Sequence, residues 1–299
     1  MEEKKSAYLH NMTLNKKITL GIFDSGIGGL SLTIELIYKI QKNLKNTSFN
    51  IIYLADNDFL PYGDKSDKEI TQRSEFLTTF LSSSFQLQTI FIACNTATVS
   101  SIHHLRKTFP HLSFVGVEPY VTFMENKEGR NENEEHLLLV TPRTKNSSRL
   151  HQLLRENDPH QKITALPLPE LASLIEEYPL DWNSPLFLKK LGNQLSRVNV
   201  EKFESLIMGC THYAFIQDAL RSLYKKTVKF PSDSIIKQLI SVLEKDKSED
   251  KSDNQNSLTL INTANQKSYN AKMKSILDYY LPANFVRFNE LVIPTKERP

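Results

Sequence analysis

Two short apolar runs that end in cysteine restrict what this chain can fold into more than any other feature. Residues 89–93 lead into Cys94, residues 206–209 lead into Cys210, and the chain has no other cysteine. Continuous apolar runs of this kind are typical of strands in a parallel sheet that is covered on both faces. The polar residues that follow favour a turn into a helix, whose N-terminal amides attract anions and acidify a thiol. The sequence therefore predicts two buried strands, each with an acidified thiol at its carboxyl end.

Each cysteine also has a simpler interpretation as a small buried hydrophobic residue. The repeated pattern favours a catalytic role for the cysteines. Packing alone does not explain why both are followed by hydroxyl, amide or imidazole side chains. A disulfide between the two cysteines is the other alternative. Residues 1–17 lack the apolar segment of a secretory signal, so we expect a cytoplasmic, reducing location and two free thiols.

The composition excludes several classes of function. The 299 residues suffice for two ordinary domains, and 39% of them are hydrophobic, which is typical of a globular protein. No apolar run approaches the roughly 20 residues of a membrane-spanning helix, so no membrane partner is expected. The 37 basic and 34 acidic residues are interspersed rather than gathered in a basic stripe. We therefore expect no nucleic-acid partner.

The first strand is predicted at residues 18–23 and leads into a glycine-rich turn that begins with Asp24 and Ser25. Ser31 occupies the place of the third glycine in a dinucleotide-binding loop, and no Lys-Ser/Thr pair makes the turn a P-loop. A tight turn alone accounts for the glycines. An acidic side chain at the carboxyl end of a strand, where open α/β sheets bind ligands, favours a functional role for Asp24.

A loop follows the second predicted strand, residues 50–55, and contains Pro61, Tyr62 and Gly63. The backbone amides of this loop could hold the carboxylate of a ligand. A surface turn with a helix cap at Ser66 explains the same residues equally well. The loop residues by themselves leave both interpretations open.

Strand-like runs alternate with helical patterns along the chain, which predicts an α/β fold of mainly parallel sheets with helices on both faces. We expect a last strand at residues 258–263 and a closing helix at residues 266–280. The polar residues 125–135 indicate a crossing between domains. The charged run 244–256 is too polar to pack and is expected to form a surface loop, and residues 1–17 are expected to form an N-terminal tail.

The sequence contains no motif for a metal or a cofactor. Its eight histidines are scattered, and the neighbours His103 and His104 point to different faces of their helix. What remains is two thiols at strand ends, accompanied by Asp24 and His212. Two thiols on opposite sides of a cleft can remove a proton from one face of a carbon and return one to the other face. This chemistry is racemisation.

Four segments of the chain resemble the glutamate racemases, cofactor-independent enzymes that make D-glutamate for bacterial cell walls: residues 21–30, 53–63, 93–97 and 209–213. The resemblance implies that Cys94 and Cys210 are the acid/base thiols, assisted by Asp24 and His212. It further implies that Cys210 serves L-glutamate and Cys94 serves D-glutamate, without a cofactor. The implied glutamate site is lined by Asp24, Ser25, Tyr62, Gly63, Asn95, Thr96, Thr141, Thr144, Glu176, Thr211 and His212. By helical position, a ligand contact and a solvated side chain are both open for Glu176, and solvation is the default interpretation.

The same resemblance implies two pseudo-symmetric α/β domains with the active site in the cleft between them. The first domain then comprises residues 18–117 and 226–299, and the second comprises residues 118–225. Homodimers are common in the family, although no segment of this sequence marks an interface.

The chain departs from the family pattern at two places. Arg143 stands where the family usually has a glycine, and Ala214 and Phe215 stand where it usually has Pro-Leu. These changes affect loop geometry, and hence substrate affinity more than the reaction. The alternative functions are an aspartate or hydantoin racemase of the same superfamily and a non-catalytic amino-acid-binding module, which the presence of both thiols disfavours.

Overall fold

Two parallel β-sheets organise the fold. The computed structural model describes residues 16–44, 47–119, 134–245, 248–249, 256–282 and 286–292. The strands are β1 (Lys16–Asp24), β2 (Thr47–Ala55), β3 (Thr89–Ile92), β4 (Ser113–Gly116), β5 (His136–Val140), β6 (Ile163–Pro167), β7 (Ser205–Met208), β8 (Thr227–Lys229), β9 (Ser248–Glu249), β10 (Ser257–Asn262) and β11 (Arg287–Val292). Helices alternate with these strands, so the predicted α/β class is confirmed.

The larger sheet contains seven strands within the described ranges. Six of them follow the order β11-β10-β2-β1-β3-β4, and each neighbouring pair is parallel. The short strand β9 pairs antiparallel with the start of β1. Parallel strands place their carboxyl ends at one edge of the sheet, so Asp24 and the residues that follow β3 lie on the same side.

The smaller sheet has the order β6-β5-β7-β8 among the described residues, and its pairs are also parallel. Strand β8 pairs with β7, although the sequence-based division assigned residues from 226 onwards to the first domain. The boundary at 226 is therefore wrong by at least this strand. A three-residue edge strand with an exposed Thr227 carries no apolar run that could have marked it.

The helices of the described ranges fill the connections between strands. They are α1 (Leu30–Asn43), α2 (Asp67–Ser84), α3 (Asn95–Thr108), α4 (Pro142–Lys145), α5 (Ser148–Asn157), α6 (Leu171–Glu177), α7 (Pro185–Leu195), α8 (Gln217–Tyr224), α9 (Ser232–Lys245) and α10 (Lys267–Tyr280). Short 3-10 turns occupy Tyr62–Asp64, Val200–Lys202 and Thr211–Ile216. Ser66 and Glu69 form a capping box at the start of α2, so the helix cap that belongs to one of the two loop interpretations is present. None of these described helices is long and apolar enough to cross a membrane.

The strands that carry the cysteines lie between other strands in the two sheets. Every residue of β3 and of β7 is buried, as the continuous apolar runs predict. A fully buried aliphatic or aromatic side chain contributes about 1.5–3 kcal/mol. Each cysteine is thus attached to a strand that packing holds in place.

Three predicted segments differ from the structure. Lys16 and Lys17, assigned to the tail 1–17, belong to β1. In the charged run 244–256, the first two residues end α9, and Ser248–Glu249 forms β9 rather than a loop. Residues 258–263 are not the last strand, because the edge strand β11 pairs with β10. Its sequence mixes charged and apolar residues, so the pairing partner, and not periodicity, determines it. Residues 125–133 lie outside the described ranges, and the rest of the domain division stays a prediction.

Candidate active site

The carboxyl ends of β1, β3 and β7 bring together the residues that the sequence singled out. Cys94 caps the N-terminus of α3, and Cys210 directly precedes the 3-10 turn Thr211–Ile216. Both thiols are free and buried, with 5% and 6% of their surface exposed. The two sheets meet here, because the Thr211 hydroxyl donates a hydrogen bond to Asp24 Oδ2 at 3.4 Å.

Asp24 is completely buried at the end of β1 and is held by the glycine-rich turn that follows it. The backbone amides of Ser25 and Gly29 donate to its two carboxylate oxygens, at 2.7 and 2.5 Å. Burial raises the pKa of Asp24 above its ordinary value, whereas the positive charge of His212 and these amides oppose the rise. The turn therefore serves the carboxylate itself, which explains its small residues.

The Cys94 thiol lies on the Asp24 side of the site. Its Sγ donates to Ser25 Oγ at 3.8 Å and accepts from the Ala97 amide at 3.5 Å. Burial raises the pKa of Cys94 well above its ordinary value of 9.0, and the Asp24 carboxylate raises it further. The predicted acidification is wrong for Cys94, because desolvation and a neighbouring anion outweigh the helix N-terminus.

The Cys210 thiol lies beside an imidazole. Its Sγ is 4.0 Å from His212 Nδ1, and His212 Nε2 is 2.9 Å from Glu176 Oε1. Burial opposes a charge on His212, but its contacts with Cys210 and Glu176 and the charge of Asp24 raise its pKa well above 6.5. These contacts favour the imidazolium form of His212 and place its ring beside the Cys210 sulfur.

Glu176 is one of the anchors of the site, so the default interpretation of a solvated side chain is wrong. Only 9% of its side chain is exposed. Besides His212, its carboxylate accepts from the amide of Ile27, the hydroxyl of Tyr269 and the ammonium of Lys272. Burial opposes its charge, but the His212 hydrogen bond and the positive charges of His212 and Lys272 lower its pKa to about 2.

A cluster of three threonines closes another side of the site. Thr96 Oγ1 lies 3.0 Å from Thr141 Oγ1, and the Thr141 hydroxyl donates to Thr144 Oγ1 at 3.1 Å. Next to Thr96, the Asn95 amide is buried, and neither its nitrogen nor its oxygen has a hydrogen-bond partner among the described residues. Buried amides rarely stay unsatisfied, so this group is available to a polar ligand.

The Pro61–Gly63 loop packs against the same cluster. A Cβ on Gly63 would lie 3.2 Å from Thr141 Cβ, so the loop and the start of α4 are in close contact. The Tyr62 hydroxyl donates to Asp56 Oδ2 at 2.6 Å, and the Arg73 guanidinium bonds both oxygens of that carboxylate. This anchorage favours the ligand-binding interpretation of the loop, while the cap at Ser66 is also present.

All the predicted site residues thus lie in one connected region, and the structure adds four that sequence reasoning missed. Asp56 could have been found, because it directly follows β2, just as Asp24 ends β1. Arg73, Tyr269 and Lys272 lie within helices and carry no local signal. No group of three His, Cys, Asp or Glu side chains in the described ranges has the arrangement of a metal site.

Comparison with known proteins gives a consistent answer. No family model matches the chain. The glutamate racemase of Aliarcobacter butzleri (strain RM4018) is 31% identical over 230 residues, which cover 75% of this chain and 84% of that protein. Glutamate racemase 2 of Bacillus subtilis (strain 168) is 32% identical over 226 residues, covering 75% and 81%.

Solved structures share the fold. Escherichia coli glutamate racemase, in complex with L-glutamate and the activator UDP-MurNAc-ala, matches with a TM-score of 0.76 and 25% identity, covering 93% of this chain and 99% of that one. A glutamate racemase isoform from Bacillus anthracis matches with a TM-score of 0.72 and 22% identity, over 93% and 98%. The architecture is therefore that of a two-domain racemase, an isomerase. The chain belongs to the glutamate racemase family.

Proposed function

We propose that this chain interconverts L- and D-glutamate by proton transfer at Cα between Cys210 and Cys94. The observation that carries the proposal is the placement of two free, buried thiols at the ends of strands from different sheets, each beside its own polar partner. Membership of the glutamate racemase family supports the substrate. We also propose that the enzyme supplies D-glutamate for peptidoglycan synthesis and acts in the cytoplasm. This part of the proposal rests on membership of the family alone.

The two thiols have different environments, and this difference fits opposite roles. Cys94, whose pKa is raised by burial and by Asp24, carries its proton at neutral pH and is the acid when L-glutamate is bound. Cys210 lies 4.0 Å from His212 Nδ1, and this neighbour suits it to act as the base that abstracts the Cα proton. In this direction the Cα–H bond breaks towards Cys210 and a new bond forms to the Cys94 proton. Proton exchange with solvent then restores the starting protonation of both cysteines.

Substrate recognition is assigned to the polar groups that surround the thiols. The unpartnered Asn95 amide and the hydroxyls of Thr96 and Thr211 are suited to the α-carboxylate and α-amino groups. The backbone of the Tyr62–Gly63 loop and the Thr141–Thr144 pair are suited to the side-chain carboxylate. Shortening the substrate to aspartate leaves buried polar groups unpaired and moves Cα, so discrimination should exceed the roughly 10–200-fold of a lost methylene.

Racemisation in D2O tests the proposal. Early D-glutamate formed from L-glutamate should carry deuterium at Cα in the proton NMR spectrum, while unreacted L-glutamate stays protonated. Cys94→Ala and Cys210→Ala should each abolish racemisation in both directions, since each direction needs one thiol as base and the other as acid. Early product that retains the substrate proton would exclude two bases, and comparable turnover of L-aspartate would exclude glutamate as the preferred substrate. Dialysis against EDTA should leave the rate unchanged.

A further inference from the structure

The carboxylate of Glu176 is shared between the imidazole of the site and a lysine on the last described helix. Its Oε1 faces His212 Nε2 at 2.9 Å, and its Oε2 accepts from Lys272 Nζ at 2.5 Å. Lys272 also donates to the backbone carbonyl of Glu176 at 3.3 Å. Side-chain exposure is 18% for Lys272 and 9% for Glu176, so this ion pair is largely shielded from solvent.

The lysine is itself held in place. Its Nζ lies 4.0 Å from the centre of the Tyr269 ring, one helical turn earlier on α10. The hydroxyl of Tyr269 donates to the same Glu176 carboxylate, at 3.1 Å from each oxygen. One turn of α10 therefore contributes an ammonium and a phenol to a single carboxylate.

This contact joins parts of the fold that belong to different sheets. Helix α10 follows β10 of the larger sheet, whereas Glu176 lies on α6, which follows β6 of the smaller sheet. His212 follows β7 of the smaller sheet and reaches Glu176 beneath the glycine-rich turn of β1. The chain of contacts from Lys272 through Glu176 and His212 ends at Cys210.

We propose that Lys272 is a positioning residue for proton transfer at Cys210: it fixes the Glu176 carboxylate, which in turn orients His212 against the sulfur. The proposal rests on the proposed two-thiol function and extends it to the last described helix. Lys272 does not touch the reacting atoms in this arrangement. It acts on the Cys210 side of the reaction and leaves the Cys94 side unchanged.

The physical reason is the balance of charge around a buried carboxylate. With Lys272 in place, each carboxylate oxygen has one cationic partner, and the carboxylate is fixed from two sides. Without the ammonium, Oε2 keeps only the Tyr269 hydroxyl among the contacts described here, so the carboxylate is held less firmly on that side. His212 then loses its orientation, and small displacements of a proton-transfer group are costly to the rate.

The experiment compares Lys272→Met with the matched control Lys274→Met. Lys274 lies on the same helix, but pairs with Asp278 on the exposed side at 2.6 Å. We expect Lys272→Met to lower kcat/KM for glutamate by about 10- to 100-fold, and Lys274→Met to leave it unchanged. The loss of kcat/KM must be equal for L-glutamate and D-glutamate. The two enantiomers have equal free energies, and no variant can change the equilibrium between them. Lys272→Arg should restore most of the activity, since it restores the charge.

Isotope effects separate a positioning role from a general structural one. Cα-deuterated L-glutamate reports on abstraction by Cys210, and Cα-deuterated D-glutamate reports on abstraction by Cys94. In Lys272→Met, the isotope effect on kcat/KM should rise for L-glutamate and fall for D-glutamate, because only the Cys210 step has slowed. Isotope effects that stay at the parent's values in both directions would overturn the proposal. The reverse asymmetry would place the slowed step at Cys94 and would likewise overturn the proposal.

A second variant and a second measurement keep the test decisive. If circular dichroism shows that Lys272→Met does not fold, Lys272→Gln replaces it in the test. This variant keeps a hydrogen-bond donor without the charge and should show the same asymmetry of isotope effects to a smaller degree. The His212 ring resonances, assigned with His212→Gln, should shift in the Lys272 variants and stay in place in Lys274→Met. Unmoved resonances would refute the Lys272 contact. This spectrum needs no activity, so it remains informative if the parent fails to racemise glutamate, which would refute the proposed function.

Discussion

Gly28 and His212 lie so close together that a Cβ on Gly28 would come within 2.5 Å of His212 Nδ1. The same Cβ would lie 2.7 Å from the His212 backbone nitrogen and from Thr211 Oγ1. The glycine-rich turn after β1 is thus the surface on which the Thr211–His212 segment of the other sheet rests. Close approach, rather than phosphate binding, explains this glycine.

Gly28→Ala should therefore displace His212 and reduce racemisation by at least about tenfold, because a real Cβ forces the two segments apart. Steady-state rates with L- and D-glutamate measure the loss. Gly192→Ala is the control, since a Cβ there meets nothing within 4 Å. It should keep full activity and raise the free energy of unfolding by about 0.5–1 kcal/mol, as alanine replaces a glycine inside α7. Parent-like activity of Gly28→Ala would contradict this account.

The ion pairs of Glu176 should make its contribution to stability depend on pH. Its pKa is lowered from 4.5 to about 2, so its ionised form stabilises the fold above pH 4.5, and this stability is lost as the pH falls towards 2. The shift corresponds to roughly 3 kcal/mol at about 1.4 kcal/mol per pH unit. Urea unfolding of the parent and of Glu176→Gln should give free energies that differ most above pH 4.5 and converge below it. A difference that stays constant down to pH 2 would show that the charge does not stabilise the fold.

The reactivity of Cys94 should report its environment. Since burial and the Asp24 carboxylate raise its pKa well above 9.0, the thiol of a Cys210→Ala variant should react slowly with iodoacetamide at pH 7. The rate should still be rising at pH 9. Adding Asp24→Asn removes the neighbouring anion, so the rise should move to lower pH. Mass spectrometry of the modified peptide gives the rate, and a plateau near pH 7 in the Cys210→Ala protein would contradict the assignment.

The hydroxyl of Tyr62 should affect binding more than chemistry. Tyr62→Phe removes the 2.6 Å hydrogen bond to Asp56, while Arg73 still neutralises that carboxylate, so the protein should fold. The loop is then less firmly held, and we expect KM for glutamate to rise several-fold with a smaller change in kcat. Tyr279→Phe, at a position 71% exposed, is the matched control and should behave as the parent. A change in kcat alone would place Tyr62 in the proton transfer instead.

The sequence was sufficient for the class of fold and for singling out the residues at the centre of the proposed site. Continuous apolar runs predict buried parallel strands because every residue of such a strand faces a covered surface, and β3 and β7 are buried throughout. The polar residues at their carboxyl ends then gather at one edge of each sheet, so Asp24, Cys94, Cys210 and His212 could be singled out. Strands β8 and β11 carry no such run, because charged and polar residues interrupt their apolar ones, and the sequence therefore did not mark them.

Only the tertiary structure decided the environment of each group. The Cys94 thiol looks acidified when its helix is considered alone, yet burial and Asp24 raise its pKa. Glu176 looks solvated by helical position, yet three elements distant in sequence bring Ile27, His212 and Lys272 to its carboxylate. Desolvation and charge pairing depend on which surfaces meet in space, and those surfaces come from parts of the chain that no local pattern connects.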